Sequence, residues 1–239
     1  MTAAKLTLPY NQLVAGLKAG KFSNICVMTG AGISVSAGIP DFRTPETGIY
    51  ARIETLTNVK LPYPEALFDK KFFLKNPQVY YTYRRERMKD RDHVLDVDPT
   101  PAHYFIKMLR DRGHLHKLFT QNTDALHLKS GFTEDEMVHA HGHNGSAVCP
   151  ICGVKDSFFE MFEAFKLGEV RWCQRCQNEG RKSPIKPGVV FFNEGLPREF
   201  HEGAKKAALA HVDLLLIFGT TLKVKPFSLI TRQVPHSCP

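Results

Sequence analysis

Cys149-Pro150-Ile151-Cys152 and Cys173-Gln174-Arg175-Cys176 are two Cys-x-x-Cys knuckles separated by twenty residues. Thiolates at that spacing can close a tetrahedral site, and with all four places filled by protein none is left for a reactive water. The expected metal is therefore one structural Zn2+ held by Cys149, Cys152, Cys173 and Cys176. The remaining cysteines stand apart, Cys26 in an apolar run and Cys238 near the chain end, which is not the pattern of a disulfide framework.

Three further clusters could do chemistry. Gly30-Ala31-Gly32 follows a strand-like run and precedes a stretch of small residues. Such a turn lets a diphosphate approach backbone N–H groups at a helix start. The full dinucleotide fingerprint fails at its sixth position, Val35, and a glycine turn required only by packing is the alternative. Thr120-Gln121-Asn122-Thr123-Asp124 sits at the C-terminal end of a predicted strand, the edge where open α/β sheets bind ligands. Its amides and carboxylate suit a carboxamide or a ribose and would equally suit a helix cap. His139, His141 and His143 alternate, so on an extended segment their rings would share one side. The nearby thiolates are better zinc ligands and no carboxylate adjoins them, so one histidine acting as a base, with two solvated, is the preferred reading.

The elements that must position these groups follow from periodicity. The sequence predicts a short helix capped by Asn11 with Leu13, Val14 and Leu17 inward, and a strand at 25–28. It predicts helices over 68–88, with a new start at Pro77, and over 102–112, ended by Gly113, then a strand at 117–120. After the cysteine segment come a strand at 189–192, a helix around 199–210 and a strand at 212–218. That alternation predicts an α/β fold, a Rossmann-like parallel sheet with helices on both faces. No apolar run reaches the ~20 residues of a membrane span, and the first ten residues lack a signal-peptide core. A cytoplasmic or nuclear location is expected. The net charge of +8 is spread over stretches such as 84–92, with five basic and three acidic residues, and 165–186, with six and two. Neither carries the aromatic interleaving of a single-strand binder, so a solvated basic surface is the reading and no nucleic-acid partner is expected.

Taken together, GAGISVSAGIPDFR at 30–43, TQNTD at 120–124, AHG at 140–142, the paired cysteines, KPGVVFFNE at 186–194 and GTTLKVKPF at 219–227 resemble the sirtuin family. The resemblance runs from about Leu13 to the chain end, and LPYPEALF at 61–68 is similar to the deacetylase branch. It implies a discontinuous NAD-binding domain, 10–138 and 187–239, and a histidine segment with a small four-cysteine zinc module, 139–186. It implies removal of acyl groups from protein lysines with NAD as co-substrate, yielding nicotinamide and an O-acyl-ADP-ribose. By matching position, His141 would be the base, and Asn122 and Asp124 would hold the nicotinamide pocket and reacting ribose, with Gln121 and Thr123 beside them. Ala31, Gly32, Ile33, Ser34 and Val35 would line the phosphates and nearby ribose. Asp41, Phe42 and Arg43 would ride a mobile cofactor loop, and Gly219, Thr220 and Thr221 would meet the cofactor from a later strand. Val190 and Phe191 would clamp the acyl-lysine while their backbone pairs with an extended peptide. The implied partners are acyl-lysine proteins, histones among them, and no membrane.

Several positions depart from the family pattern. Thr123 stands in place of a usual isoleucine, Ala125 and Asn193 in place of glycines, and His139 in place of an acidic residue. The family normally continues beyond Pro239 into segments that hold the adenosine, so the resemblance leaves two expectations: a C-terminally shortened product that lacks its last sheet segment and binds NAD weakly, the preferred one, or a piece of a longer protein. Tyr81-Thr82-Tyr83-Arg84 resembles the Tyr-x-x-Arg pair with which one sirtuin branch grips acidic acyl groups. A basic helix face is the preferred alternative. Rival functions are a non-catalytic scaffold and a protein ADP-ribosyltransferase. A dehydrogenase is opposed by the incomplete fingerprint.

Overall fold

The computed structural model describes residues 8–89 and 97–239. The first seven residues and positions 90–92 of the basic stretch lie outside the described residues. Helix α1 (Tyr10–Lys18) leads into β1 (Ile25–Thr29), and beyond the glycine turn come α2 (Ile49–Thr57), α3 (Lys70–Lys75), α4 (Pro77–Lys89) and α5 (Pro101–Asp111). β2 (Leu115–Thr120), α6 (Leu126–Lys129) and β3 (Met137–His139) follow. The cysteine segment contributes β4 (Gly142–Val148), β5 (Lys155–Asp156), α7 (Phe158–Leu167) and α8 (Gln174–Asn178). The chain then forms β6 (Lys186–Val189), α9 (Arg198–Gly203) and β7 (Leu214–Phe218).

Strands β3-β2-β1-β7 form the expected parallel sheet. All five residues of β1 are buried, as the centre of a sheet covered on both faces requires. Their side chains alternate between two cores. Cys26 and Met28 join Phe119, Val138, Phe200 and Phe227, while Ile25 and Val27 join Ile106, Leu118, Phe132 and Leu214. A second, antiparallel sheet runs β5-β4-β6. Its core takes Met161 and Phe165 of α7, three of the cysteines and Ile185, and completes itself with Ile53, Phe73, Tyr80, Tyr81 and Tyr83 from α2–α4. The cysteine segment has too little apolar surface to fold alone, so it borrows helices from earlier in the chain.

Helix ends follow local chemistry. Asp69 accepts from the Phe72 N–H to start α3, Pro77 opens α4, and Thr100 with Pro101 opens α5. Three expectations need correction. Asn11 does not cap α1: Pro9 holds the cap position and the Asn11 side chain turns onto the Gln12 N–H. The strand expected at 189–192 is displaced to Lys186–Val189, because β4 pairs there, Gly142 with Val189 and Val148 with Lys186. Residues 190–192 leave that sheet, and Phe192 instead bonds Phe68 and Lys70. The helix expected over 199–210 divides into α9 and a 3-10 turn at Lys206–Leu209.

Candidate functional site

The C-terminal edge of the parallel sheet gathers three loops. The glycine turn after β1 meets the turn after β7 so closely that a Cβ on Gly219 would lie 2.4 Å from the Ile33 nitrogen, and one on Gly32 would lie 2.7 Å from the Gly219 Cα. Gly219 also has φ +62°, where an L side chain is strained. The Gly32 N–H donates to the Gly219 carbonyl at 2.8 Å. The packing requirement that the sequence left open is thus met at Gly32, while Ser34 in the same turn reaches the next loop.

That loop, residues 120–124, is cross-linked to both neighbours. The Ser34 hydroxyl donates to Asp124 Oδ2 at 2.6 Å, Asn122 Nδ2 lies 3.4 Å from the same hydroxyl, and the Thr220 hydroxyl donates to Gln121 Oε1 at 2.7 Å. The helix-cap reading holds for Asp124, whose Oδ1 accepts the Leu126 N–H at 3.0 Å at the start of α6. Ala125 there adopts φ +62° and Asn193 adopts φ +67°. Both are non-glycine residues in the left-handed region, where an L side chain is strained. Thr221 is exposed and Val35 stands free of the core.

His141 joins this loop to the second sheet. Its carbonyl accepts the Val190 N–H at 2.8 Å, and its imidazole lies near the Gln121 backbone. Burial lowers its pKa below the usual 6.5, partly offset by the nearby Gln121 backbone, so the ring is neutral near pH 7. The expectation that the three histidines share a side, two of them solvated, is corrected. The chain turns between β3 and β4, the His139 and His143 rings lie 5.6 Å apart and tilted by 49°, and His141 lies against Phe227 at 6.4 Å. Both His139 ring nitrogens are buried without a partner, whereas His143 faces Glu134 at 3.7 Å.

The segment after β6 is clamped. Lys186 is buried, pairs with Glu194 at 3.0 Å, donates to the Val189 carbonyl and lies 4.7 Å from the Phe191 ring. Glu194 in turn accepts the Phe191 N–H at 2.9 Å. Phe191 packs on Phe73, Tyr80 and Phe68, and Phe68 packs on Phe42 at 5.9 Å. Asp41 is folded onto Thr44, whose hydroxyl and N–H hold its carboxyl below the usual range, and Arg43 lies over Tyr50 and near Glu65.

Tyr81 and Arg84 are not aimed together at an acyl group. The buried Tyr81 hydroxyl donates to the Ile185 carbonyl at 2.8 Å, while Arg84 donates to Asn144 Oδ1 at 3.1 Å. On the zinc side, the basic residues are largely matched. Arg171 pairs with Asp156 and Glu160, Arg175 and Arg181 with Glu179, and Lys182 covers Trp172.

The four thiols of Cys149, Cys152, Cys173 and Cys176 lie within 4.8 Å of one another. Two of their sulfur–sulfur distances are 3.7 Å, close to the ~3.8 Å edge of a tetrahedron with ~2.3 Å metal–sulfur bonds. The Cys152 and Cys176 N–H groups point back at Cys149 and Cys173 Sγ, at 3.5 Å each. Burial and the neighbouring thiols push Cys176 up to about 12, a penalty that a dication would remove. The cluster fits a structural zinc. Sequence reasoning missed Asn144, which bonds Thr123, and the buried pair His103–His127, which backs the glycine turn through Thr100 and Thr29. Only the Thr100-Pro101 helix start gave a local signal for the latter.

Residues 30–226 match a family model described as Sir2 family. The chain is 40% identical over 222 residues to NAD-dependent protein deacetylase sirtuin-2 of Danio rerio, covering 92% of this chain and 55% of that protein. It is 42% identical over 212 residues to NAD-dependent deacetylase sir2A of Dictyostelium discoideum, covering 89% and 39%. With NAD-dependent protein deacetylase sirtuin-3 of Mus musculus it shares 36% over 217 residues, 91% and 60%. The chain spans about half the length of the curated relatives it matches.

Proposed function

The chain belongs to the Sir2 family, and from that premise we propose that it is an NAD-dependent protein lysine deacylase whose reaction passes an acyl group from lysine to ADP-ribose. The observation that carries this reading is the place of His141: its carbonyl accepts the N–H of Val190, and the backbone of Gln121 lies near enough to its ring to favour the protonated form. One residue thereby links the loop of Asn122 and Asp124 to the segment proposed to receive the acyl-lysine.

NAD, when bound, supplies an anomeric carbon whose bond to nicotinamide can be broken. The groups proposed to hold it are the turn 31–35, Asp41, Phe42 and Arg43, residues 121–124, and Gly219, Thr220 and Thr221. His141 is neutral near pH 7 because burial disfavours its charged form. A neutral imidazole carries one ring nitrogen without a proton, which can accept one from a ribose hydroxyl. Val190, half-buried and backed by the buried Phe191, is proposed to meet a neutral acylated lysine, which has no ammonium to desolvate. The proposed substrates are acylated proteins, histones among the candidates. The discontinuous domain boundaries 10–138 with 187–239, and 139–186, go with this reading. Six free cysteines accord with a reducing cytoplasm or nucleus. Among the described residues no helix is long and apolar enough to cross a membrane.

The test is mass spectrometry of an acetyl-lysine peptide incubated with the protein, with and without NAD. NAD-dependent loss of the acetyl group that disappears in His141→Ala is expected, with the acidic limb of the kcat/KM profile below pH 6.5. Label from NAD retained on protein would favour an ADP-ribosyltransferase. No nicotinamide release would overturn the enzyme and leave the scaffold.

A further inference from the structure

Most of the loop 121–124 is tied to the parallel-sheet domain. The Gln121 N–H donates to the Thr29 carbonyl at 3.0 Å, Ser34 holds Asp124, and Thr220 holds the Gln121 side chain. Residue 123, between Asn122 and Asp124, is held from the opposite side. Asn144 of β4 donates its Nδ2 to the Thr123 carbonyl at 2.8 Å and lies 3.0 Å from the Thr123 hydroxyl. A primary amide can present either end, and Arg84 selects one: its Nη1 donates to Asn144 Oδ1 at 3.1 Å, so the NH2 end must face Thr123. The guanidinium of Arg84 lies 4.9 Å over the ring of Phe165, which is fully buried in the core that also contains Cys149, Cys173 and Cys176. A continuous path, Phe165–Arg84–Asn144–Thr123, thus runs from the zinc-side core to the backbone between two proposed site residues.

We infer that Arg84 and Asn144 are positioning residues that lock the backbone of residue 123, making the aim of Asn122 and Asp124 depend on the zinc-side core. The hydroxyl of Thr123, where the family usually has isoleucine, is the second point of attachment. The inference rests on the reading that residues 121–124 meet the nicotinamide end of NAD. The competing role for Arg84, gripping an acidic acyl group beside Tyr81, would have to break its bond to Asn144, and the Tyr81 hydroxyl is already committed to Ile185.

The test uses the full chain with its zinc and five variants: Arg84→Met, Arg84→Lys, Asn144→Leu, Thr123→Val and the Arg84→Met/Asn144→Leu pair. Steady-state kinetics on acetyl- and succinyl-lysine peptides are read beside amide hydrogen exchange over residues 121–126. Asn144→Leu is expected to lower kcat/KM for NAD about 10- to 30-fold, what two neutral hydrogen bonds support, with the peptide KM within about twofold of wild type. Arg84→Met should have a smaller effect of the same kind, Arg84→Lys should partly restore it, and Thr123→Val should cost about threefold. The double variant should be no worse than Asn144→Leu alone, because the two residues act in series. Exchange at 121–126 should quicken in step with the kinetic losses.

Multiplying effects in the double variant would overturn the inference, as would a change confined to peptide KM. A loss confined to succinyl-peptide turnover in Arg84→Met would make Arg84 a substrate contact instead. Unchanged exchange at 121–126 in Asn144→Leu would overturn it whether or not the wild type turns over. Absence of wild-type turnover with quickened exchange in the variants would strike only at the enzymatic reading.

Discussion

Lys186→Met removes an ammonium from one of the most enclosed charge pairs among the described residues while keeping the side chain's length and apolar stem. Lys186 and Glu194 are 4% and 14% exposed, and their charged atoms are 3.0 Å apart. Nζ also donates to the Val189 carbonyl at 2.5 Å and lies over the Phe191 ring. After the substitution the Glu194 carboxylate keeps the Phe191 N–H and a more distant Lys70 at 3.6 Å, and the Val189 carbonyl loses its donor. Removing one partner of a buried pair costs about 3–5 kcal/mol, and the residual Lys70 contact argues for the lower end, about 3. For a chain of this size that is a fall in Tm of about 6–12 °C. Burial also lowers the Lys186 pKa despite Glu194 beside it, a sign that solvation lost in this site is only partly offset. The Lys186→Met/Glu194→Gln pair should therefore recover a large part of the loss, since no buried charge is left unmatched. Urea unfolding followed by circular dichroism at pH 7.5 measures both variants beside wild type. A Lys186→Met protein within about 1 kcal/mol of wild type, the range of exposed pairs, would refute the reasoning. A double variant less stable than Lys186→Met would refute the charge-matching argument.

Two further outcomes follow from local strain and burial. His127 is pushed down to about 3, chiefly by burial and then by His103 and His139. Its unfolded form binds a proton below pH 6.5 that the folded form refuses, so stability is full above 6.5 and lost as pH falls towards 3. Between pH 6.5 and 4.5 that amounts to about 2 kcal/mol, and His127→Gln should flatten the measured slope by about one proton; an unchanged slope counts against the assignment. Ala125→Gly relieves a left-handed alanine, worth about 1–2 kcal/mol less the ~0.5–1 kcal/mol entropy of glycine. A net gain of about 0.5–1 kcal/mol in urea is expected, and a loss would mean φ +62° is not strained there.

The zinc knuckles, the glycine turn and the parallel sheet were legible in the sequence because each depends on neighbours a few residues away. Ligand spacing within a knuckle, apolar runs in β1 and β7, and Pro77 at a helix start are local signals. Helix starts and strand ends were less secure. The β6 strand slipped by about three residues because its bounds are set by the partner strand, and Asn11 lost the cap to the preceding proline.

What only the tertiary structure decided are contacts between residues far apart in the chain. Arg84 meets Asn144 across 60 residues, Ser34 meets Asp124 across 90, and Thr220 meets Gln121 across 99. Side-chain type limits which of these bonds is possible, but which one forms depends on how two sheets and the helices between them pack. Tyr81 and Arg84 illustrate the limit. Their spacing fits a clamp for an acidic group, yet packing of α4 against α7 turns one hydroxyl onto a carbonyl and one guanidinium onto a ring. A motif specifies donors and acceptors; burial decides who receives them, because each buried polar group must be satisfied by whatever the fold brings within about 3 Å.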